Sequence, residues 1–154
     1  MSDRRAEIVA DKHEIETLQR LYAKATDKLG MKDADIREEG RQIYNRIFTP
    51  DAKVRTRNTD NDFEADSPDG WAGVAAEALS QYVGTQHLIG TQLTDVDGDE
   101  GQMESYLNAW HKFPDGVVYY FLGTYISKVR RDDDGWKIYD MTLRLDTSGN
   151  VRTA

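Results

Sequence analysis

The residue in this chain best suited to acid–base chemistry is His87, one of three histidines among 154 residues. It lies in the stretch Gly84–Gly98, which reads as a strand running into a turn. Strand alternation predicts that His87 shares one face with Ile89, Thr91 and Leu93. An imidazole titrates near neutral pH and can act as a general base. From these residues alone, His87 is either a satisfied core or surface residue or a catalytic group.

The other two histidines show no sign of a metal site. His13 is predicted near the start of a helix and exposed, and His111 at a strand end, on the opposite face from Trp110. Neither has partners at the spacing of metal ligands. The absence of cysteine excludes disulfides, thiolate nucleophiles and cysteine-based zinc sites. From the spacing of the histidines we predict that the chain binds no metal. It also has no glycine-rich phosphate loop, Gly-x-Ser-x-Gly elbow or nucleotide fingerprint.

Composition narrows the class of protein further. A length of 154 residues, with 38% hydrophobic and 31% charged residues, predicts one soluble, folded domain. A net charge of −8 without a basic stripe argues against nucleic-acid binding. No apolar run approaches the roughly 20 residues that span a bilayer, and the first residues do not resemble a secretory signal. We therefore expect a cytoplasmic protein without membrane contact.

The elements that must position His87 follow from hydrophobic periodicity. One helix is predicted from Asp11 to about Leu29, with an apolar stripe at Ile15, Leu18, Tyr22, Ala25 and Leu29. A second begins at Asp33 or Asp35 and ends at Phe48, before Pro50. A third, shorter helix is predicted over residues 71–82, after a loop over residues 58–70 that is rich in Asp, Asn, Ser, Pro and Gly.

Strand patterns fill most of the second half of the chain. After a short candidate at residues 52–57, four strands are predicted at residues 85–96, 102–112, 117–130 and 136–145, joined by glycine-containing turns. Residues 1–10 and 147–154 are expected to be loose tails. Helices followed by an antiparallel meander predict an α+β domain with helices on one face of a curved sheet.

Several segments, in this order, resemble a known family. Ile15–Asp27 resembles the first helix of SnoaL-like proteins, and Ile47–Ala52 resembles the exit from their second helix. Thr85–Gly90, with the turn at residues 97–99, resembles their histidine strand and hairpin, and Trp136–Ile138 fits the last strand. The resemblance implies a single NTF2-like (cystatin-like) cone over residues 1–154, with about three helices on a curved, mainly antiparallel sheet. Its superfamily includes polyketide cyclases, scytalone dehydratase and a dehydrochlorinase, but also proteins without catalysis.

This resemblance also implies a catalytic pair. The catalytic members use an Asp–His dyad, whose positions match Asp27 and His87 here. The carboxylate would fix the tautomer of the imidazole and stabilise the imidazolium, and the reaction would need no metal or organic cofactor. An ideal helix places Asp27 nearly opposite the apolar stripe, so the dyad requires the helix to end or bend before Asp27, or the pocket to lie on that side.

Other side chains are candidates for binding a substrate. Aromatic residues in a sheet are usually core, but some can line a cavity for a ring-bearing ligand. Arg144 either holds a substrate anion or leaving group inside, or forms a salt bridge outside. The candidates for the pocket wall are Tyr22, Trp71, Tyr82, Tyr106, Asn108, Trp110, Tyr120 and, if inward, Arg144.

The resemblance favours a cofactor-independent lyase, isomerase or cyclase acting on a small hydrophobic cyclic or aromatic molecule. The alternative is a non-catalytic small-molecule-binding or dimerisation module on the same fold. We also expect a homodimer through the exposed sheet face, to which we assign Tyr119, Phe121 and Tyr125.

Overall fold

The computed structural model describes residues 2–152, which form three helices and six strands. Each predicted helix and long strand is present, with shifted ends. The helices are α1 (Ser2–Leu29), α2 (Ala34–Ile47) and α3 (Pro68–Leu79). The strands are β1 (Phe48–Arg57), β2 (Glu64–Ala65), β3 (Gly84–Asp97), β4 (Glu100–Lys112), β5 (Val117–Asp132) and β6 (Gly135–Arg152).

Local capping explains where the two shorter helices begin. The Asp33 carboxylate accepts hydrogen bonds from the backbone N–H groups of Asp35 and Ile36, which caps α2. The Ser67 hydroxyl accepts from Gly70 N–H at the start of α3, where Pro68 occupies the first turn. Both helix starts were therefore encoded in nearby side chains.

The prediction of loose tails was wrong for the described residues. Residues 2–10 extend α1, and residues 147–152 extend β6. The β6 extension is held by pairing with β5, in a ladder that continues to Val117 opposite Arg152. Backbone pairing of this kind depends on a distant strand, so the sequence near the C-terminus does not reveal it. Residues 1, 153 and 154 lie outside the described part.

All six strands form one sheet in the order β2-β1-β6-β5-β4-β3. The β1–β6 pair is parallel, and the other neighbours are antiparallel. An irregularity in β3 between Ile89 and Gln92 reverses the alternation, so Thr94 is buried and Leu93 is 70% exposed. The prediction that Thr91 and Leu93 share the face of His87 was therefore wrong.

The helices pack on one face of the sheet, and aromatic residues form the centre of that core. The rings of Tyr22 and Tyr44 stack at 5.1 Å, and Tyr125 packs edge-on against Tyr22 at 5.4 Å. Phe48 contacts both Tyr22 and Tyr44 edge-on. This cluster joins α1 and α2 to strands β1 and β5 of the sheet.

Among the described residues, no helix is both long and apolar enough to cross a membrane.

The assignment of Tyr119, Phe121 and Tyr125 to an exposed sheet face was wrong. These residues face the helices, and Tyr125 is 0% exposed. The face that points away from the helices instead presents exposed apolar side chains from β3, β4 and β5, namely Leu88, Leu93, Tyr106 and Ile126. We call this the outer face.

Candidate active site

Asp27 and His87 form a hydrogen-bonded pair. The Nδ1 atom of His87 lies 2.7 Å from Asp27 Oδ1, with the two side chains 8% and 20% exposed. The Thr85 hydroxyl donates to Asp27 Oδ1 at 3.2 Å, and the His87 backbone N–H donates to Oδ2 at 3.3 Å. Because a carboxylate only accepts hydrogen bonds, Nδ1–H of His87 is the donor in this contact, and in the neutral imidazole the lone pair lies on Nε2.

The helix supplies Asp27 without ending or fraying before it. Asp27 lies in the last turn of α1, which continues to Leu29. The buried arc of α1 is wider than its apolar stripe, because Gln19, Ala23 and Thr26 are also buried. β3 packs against this more polar side of the helix, where Gln92 donates to a backbone carbonyl of α1. The sequence left two arrangements open: either α1 ends or bends before Asp27, or the pocket lies on the Asp27 side of the helix. The structure has the second arrangement.

A cavity of about 560 Å³ adjoins this pair, between the helices and the inner sheet face. Its wall is largely apolar and aromatic, and His87 is part of it. The open end is bordered by exposed polar residues of the segment after β1, the end of α3 and β6, including Asp60, Asn61, Gln81, Ser148 and Asn150. A buried apolar interior with a few polar groups is the usual form of a small-molecule site.

A second histidine, His111, also lines the cavity. Its ring lies 5.5 Å from that of His87 and nearly perpendicular to it, at 87°. Its Nδ1 lies 3.2 Å from the Tyr119 carbonyl oxygen, which only accepts, so Nδ1–H donates. Burial, and secondly the charge of His87, lower the pKa of His111 to about 4. His111 is therefore neutral at physiological pH, with Nε2 as an acceptor.

The sequence prediction did not include His111 in the site. The signal was available in β4, where Leu107, Ala109 and His111 alternate and all line the cavity. The sequence interpretation instead selected the opposite face, because that face carries Asn108 and Trp110. Both faces of β4 carry aromatic or apolar residues, so alternation identifies the two faces without indicating which is internal.

Three of the predicted pocket-wall residues do line the cavity: Tyr22, Trp71 and Tyr82. The Trp71 indole N–H donates to the Tyr22 hydroxyl at 2.9 Å, which links α3 to α1. Tyr82 packs against the ring of His111 at 4.9 Å. Each of the three residues therefore contacts another residue of the cavity wall.

The other predicted wall residues lie outside this cavity, which corrects the sequence interpretation. Strand alternation turns Tyr106, Asn108, Trp110 and Tyr120 to the outer face. There the Trp110 indole N–H donates to Gln86 at 2.9 Å. Arg144 pairs with Asp146 at 3.1 Å, which is the outward arrangement. Asn108 and Arg144 border a separate depression on that outer face.

The chemistry available at the cavity is therefore that of an oriented imidazole. Within residues 2–152, no three His, Cys, Asp or Glu side chains gather in a way that would hold a metal ion. The polar groups of the cavity wall include a second imidazole, that of His111, and the hydroxyl groups of Tyr22, Thr26, Tyr82, Tyr119 and Tyr125. This set can move a proton and form hydrogen bonds with a bound molecule.

Comparison with known proteins agrees with this architecture. A family model described as a SnoaL-like domain matches residues 7–142. No curated protein sequence matches the chain. Among solved structures, a hexachlorocyclohexane dehydrochlorinase, LinA-type3 from Novosphingobium barchaimii LL02, has a TM-score of 0.74 at 15% identity, covering 100% of this chain and 99% of that one.

Two further structures come from Novosphingobium aromaticivorans. A protein named as a putative scytalone dehydratase has a TM-score of 0.73 at 20% identity and covers 100% of this chain and 94% of its own. An NTF2-like protein with a cystatin-like fold has a TM-score of 0.74 at 15% identity, with coverage of 94% and 87%. At such identities the likeness establishes the fold, which is the predicted NTF2-like α+β arrangement.

Proposed function

The chain belongs to the family of SnoaL-like domains, and from that premise we propose that it is a cofactor-independent lyase, isomerase or cyclase. In this proposal, His87 is the general base and Asp27 its orienting carboxylate. The substrate is a small hydrophobic cyclic or aromatic molecule. The observation that carries the proposal is the 2.7 Å contact between Asp27 Oδ1 and His87 Nδ1 at the wall of an apolar cavity.

The geometry supports proton abstraction at Nε2 of His87. Asp27 holds Nδ1–H, so the lone pair on Nε2 is the basic position. When Nε2 takes a proton from the substrate, the ring becomes an imidazolium, and the adjacent carboxylate stabilises its positive charge. Thr85 and the His87 backbone N–H hold the carboxylate in place, so little reorganisation is needed during the reaction.

The cavity supports the substrate class. A volume of about 560 Å³ accommodates a compound of one or two rings, and the aromatic wall favours apolar ring contacts. Two of the structural neighbours are named as a dehydratase and a dehydrochlorinase, and both names describe eliminations. An elimination begins in the same way as an isomerisation, with removal of a proton by a base.

The proposal is tested by following proton abstraction directly. Small ring ketones such as 1-indanone and 2-tetralone exchange the hydrogens beside their carbonyl group for deuterium when a base removes them. We expect the protein to accelerate deuterium uptake in deuterated buffer, measured by mass spectrometry. His87→Ala should lower the protein-catalysed rate by about 100-fold or more. His13→Ala, on the exposed part of α1, is the matched control and should keep the wild-type rate.

The competing hypothesis is a non-catalytic binding or dimerisation module on the same fold. That hypothesis would be favoured by a separated Asp27 and His87, with the imidazole facing away from the cavity. The observed contact and the position of His87 in the cavity wall favour catalysis instead. A protein that binds ring compounds but exchanges deuterium equally fast with and without His87 would support the binding module.

A further inference from the structure

One row of side chains crosses the inner face of the sheet, from His87 to the mouth of the cavity. The strand register pairs His87 with Ala109, Ala109 with Phe121, and Phe121 with Ser148, and all four residues line the cavity. Neighbouring strands lie about 4.8 Å apart, so three steps place Ser148 about 14 Å along the sheet from His87. The row therefore connects the imidazole to the mouth across four strands.

The middle of this row is apolar. Ala109 is 0% exposed, and the ring of Phe121 is half-buried. Because the side chain of Ala109 is a single methyl group, it leaves room for a ligand beside the imidazole. Neither side chain can form a hydrogen bond, so this part of the cavity floor suits an apolar portion of a ligand.

The mouth, in contrast, is bordered by polar side chains without charge. Ser148 ends the row, and Asn150 follows on the same face of β6, opposite Tyr119. Asn61, after β1, and Gln81, after α3, border the mouth from other elements. Hydroxyl and amide groups both donate and accept hydrogen bonds. An apolar group seated here would displace their water without replacing its hydrogen bonds, which costs binding free energy.

The charges around the cavity disfavour an ionic group at the mouth. Within residues 2–152, no lysine or arginine lines the cavity. A carboxylate or phosphate would therefore lose hydration without gaining a cation, and it would meet the carboxylate of Asp60. An ammonium group could pair with Asp60, but this residue is exposed, and exposed ion pairs contribute little. The mouth consequently favours a polar group without charge.

We propose that the substrate is elongated and amphipathic. Its ring portion covers Ala109 and Phe121, and its far end carries an uncharged hydroxyl or carboxamide group that forms hydrogen bonds with Ser148 and Asn150. This inference rests on the proposed function, because it assumes that the reacting carbon lies at the His87 end of the row. A hydroxyl or a carboxamide both donates and accepts, which matches the mixture of donors and acceptors at the mouth.

Three ketones with one carbon framework test this assignment on the full chain. They are 4-phenylcyclohexanone and its derivatives with a carboxamide or a carboxylate at the para position of the phenyl ring. We expect calorimetry to show that wild type binds the carboxamide about fivefold more tightly than the parent ketone, as hydrogen bonds at a partly solvated site allow. The carboxylate has nearly the same shape as the carboxamide and should bind at least about tenfold more weakly than it.

The affinities of wild type can overturn the proposal without any variant. Equal affinity for the carboxamide and the parent ketone would show that the mouth gives no hydrogen bond to the substituent. A carboxylate that binds as tightly as the carboxamide would show that the mouth does not select against charge. Either result contradicts the assigned substrate class.

A double variant tests which side chains make the contact. Ser148→Ala/Asn150→Leu removes both hydrogen-bonding groups and should reduce the preference for the carboxamide to about twofold or less. The parent ketone should bind at least as tightly as it does to wild type, because the new side chains are apolar. Thr147→Val, at an exposed neighbouring position that does not line the cavity, is the matched control and should keep the full preference. A preference that persists in the double variant overturns the proposed contact.

Nuclear magnetic resonance provides a readout that a purely structural role would not change. The side-chain NH2 signals of Asn150 can be assigned by their loss in Asn150→Leu. In wild type, the carboxamide should shift these signals more than the parent ketone does, because only the carboxamide forms hydrogen bonds at the mouth. Equal shifts with the two ketones overturn the contact.

The two proposals fail in distinguishable ways, because the affinities require no turnover. If deuterium exchange of 4-phenylcyclohexanone depends on His87 but the carboxamide brings no gain in affinity, the base assignment stands and the polar contact fails. If the preference for the carboxamide depends on Ser148 and Asn150 but exchange persists in His87→Ala, the polar contact stands and the base assignment fails.

Discussion

The carboxylate of Asp27 and the imidazole of His87 are 60 residues apart in the chain and 2.7 Å apart in space. The contact forms because the last turn of α1 packs against the start of β3, where Thr85 and His87 both bind the carboxylate. A single acidic side chain thus receives hydrogen bonds from two residues of one strand. This arrangement determines which imidazole nitrogen faces the cavity.

Replacing Asp27 with Asn should reduce catalysis while preserving the shape of the site. The side-chain amide of Asn can donate to Nδ1, which favours the tautomer with the proton on Nε2 and removes the basic lone pair from the cavity. We expect deuterium exchange of a ring ketone to fall about 100-fold or more. Asp115→Asn, in the exposed turn before β5, should exchange at the wild-type rate. An Asp27→Asn protein with full activity would exclude the dyad.

Replacing Thr85 with Val should have a smaller effect. Val matches the shape of Thr but lacks the hydroxyl that donates to Asp27 Oδ1 at 3.2 Å. The two hydrogen bonds from His87 remain, so the carboxylate loses part of its support, and we expect exchange to fall roughly 3- to 10-fold, as one hydrogen bond suggests. Thr91→Val, at an exposed position of the same strand, is the matched control. Equal rates in both variants would show that Thr85 does not position Asp27.

Protonation of His111 should make the fold less stable in mild acid. Its pKa is lowered to about 4 in the folded state, against about 6.5 in the unfolded chain. Between these pH values the unfolded state binds more protons, so this contribution to stability is complete above pH ~6.5 and falls as the pH is lowered toward ~4. The groups that face it are the rings of His87, Tyr82 and Tyr119 and the carboxylate of Asp27.

The size of this effect can be measured by urea unfolding at two pH values. From pH 7 to pH 5, His111 should account for a loss of about 2 kcal/mol in the free energy of unfolding. His111→Gln should show a correspondingly smaller loss over this interval, whereas His13→Gln, which is exposed, should behave as wild type. An unchanged pH dependence in His111→Gln would contradict a neutral, buried His111.

Two helical glycines should respond in opposite directions to Ala substitution. A Cβ added at Gly40 in α2 would lie 2.8 Å from the Ala25 carbonyl oxygen and 3.0 Å from the Leu29 side chain. We expect Gly40→Ala to destabilise the fold by about 1–3 kcal/mol, because α1 and α2 must separate. Gly73 in α3 has nothing within 4 Å of that position, so Gly73→Ala should stabilise by about 0.5–1 kcal/mol. Thermal unfolding of the two variants tests both signs.

We propose that two copies of the chain associate through the outer face. Tyr106 is 55% exposed there, beside Leu88 at 48% and Ile126 at 39%. Contiguous apolar side chains on a sheet face are typical of protein interfaces. We expect a sedimentation mass of two chains at micromolar concentration, and a mass of one chain for Tyr106→Arg. A wild-type mass of one chain would contradict the homodimer.

The sequence by itself determined the elements and singled out Asp27 and His87 as a candidate pair. Helical and alternating periodicity located α1, α2, α3 and the four long strands, because those patterns arise from burial of one side of each element. The residues around Asp27 and His87 resembled a family in which this pair is catalytic. Neither inference required knowledge of which elements touch.

Only the tertiary structure decided which faces of those elements are internal. β4 and β5 carry apolar or aromatic residues on both faces, so Trp110 and His111 are equally reasonable wall residues until the helices cover one side. The irregularity after Ile89 and the extended pairing of β6 likewise depend on neighbouring strands. The wide buried arc of α1, which brings Asp27 to His87, exists because β3 packs against polar and small side chains that periodicity assigns to solvent.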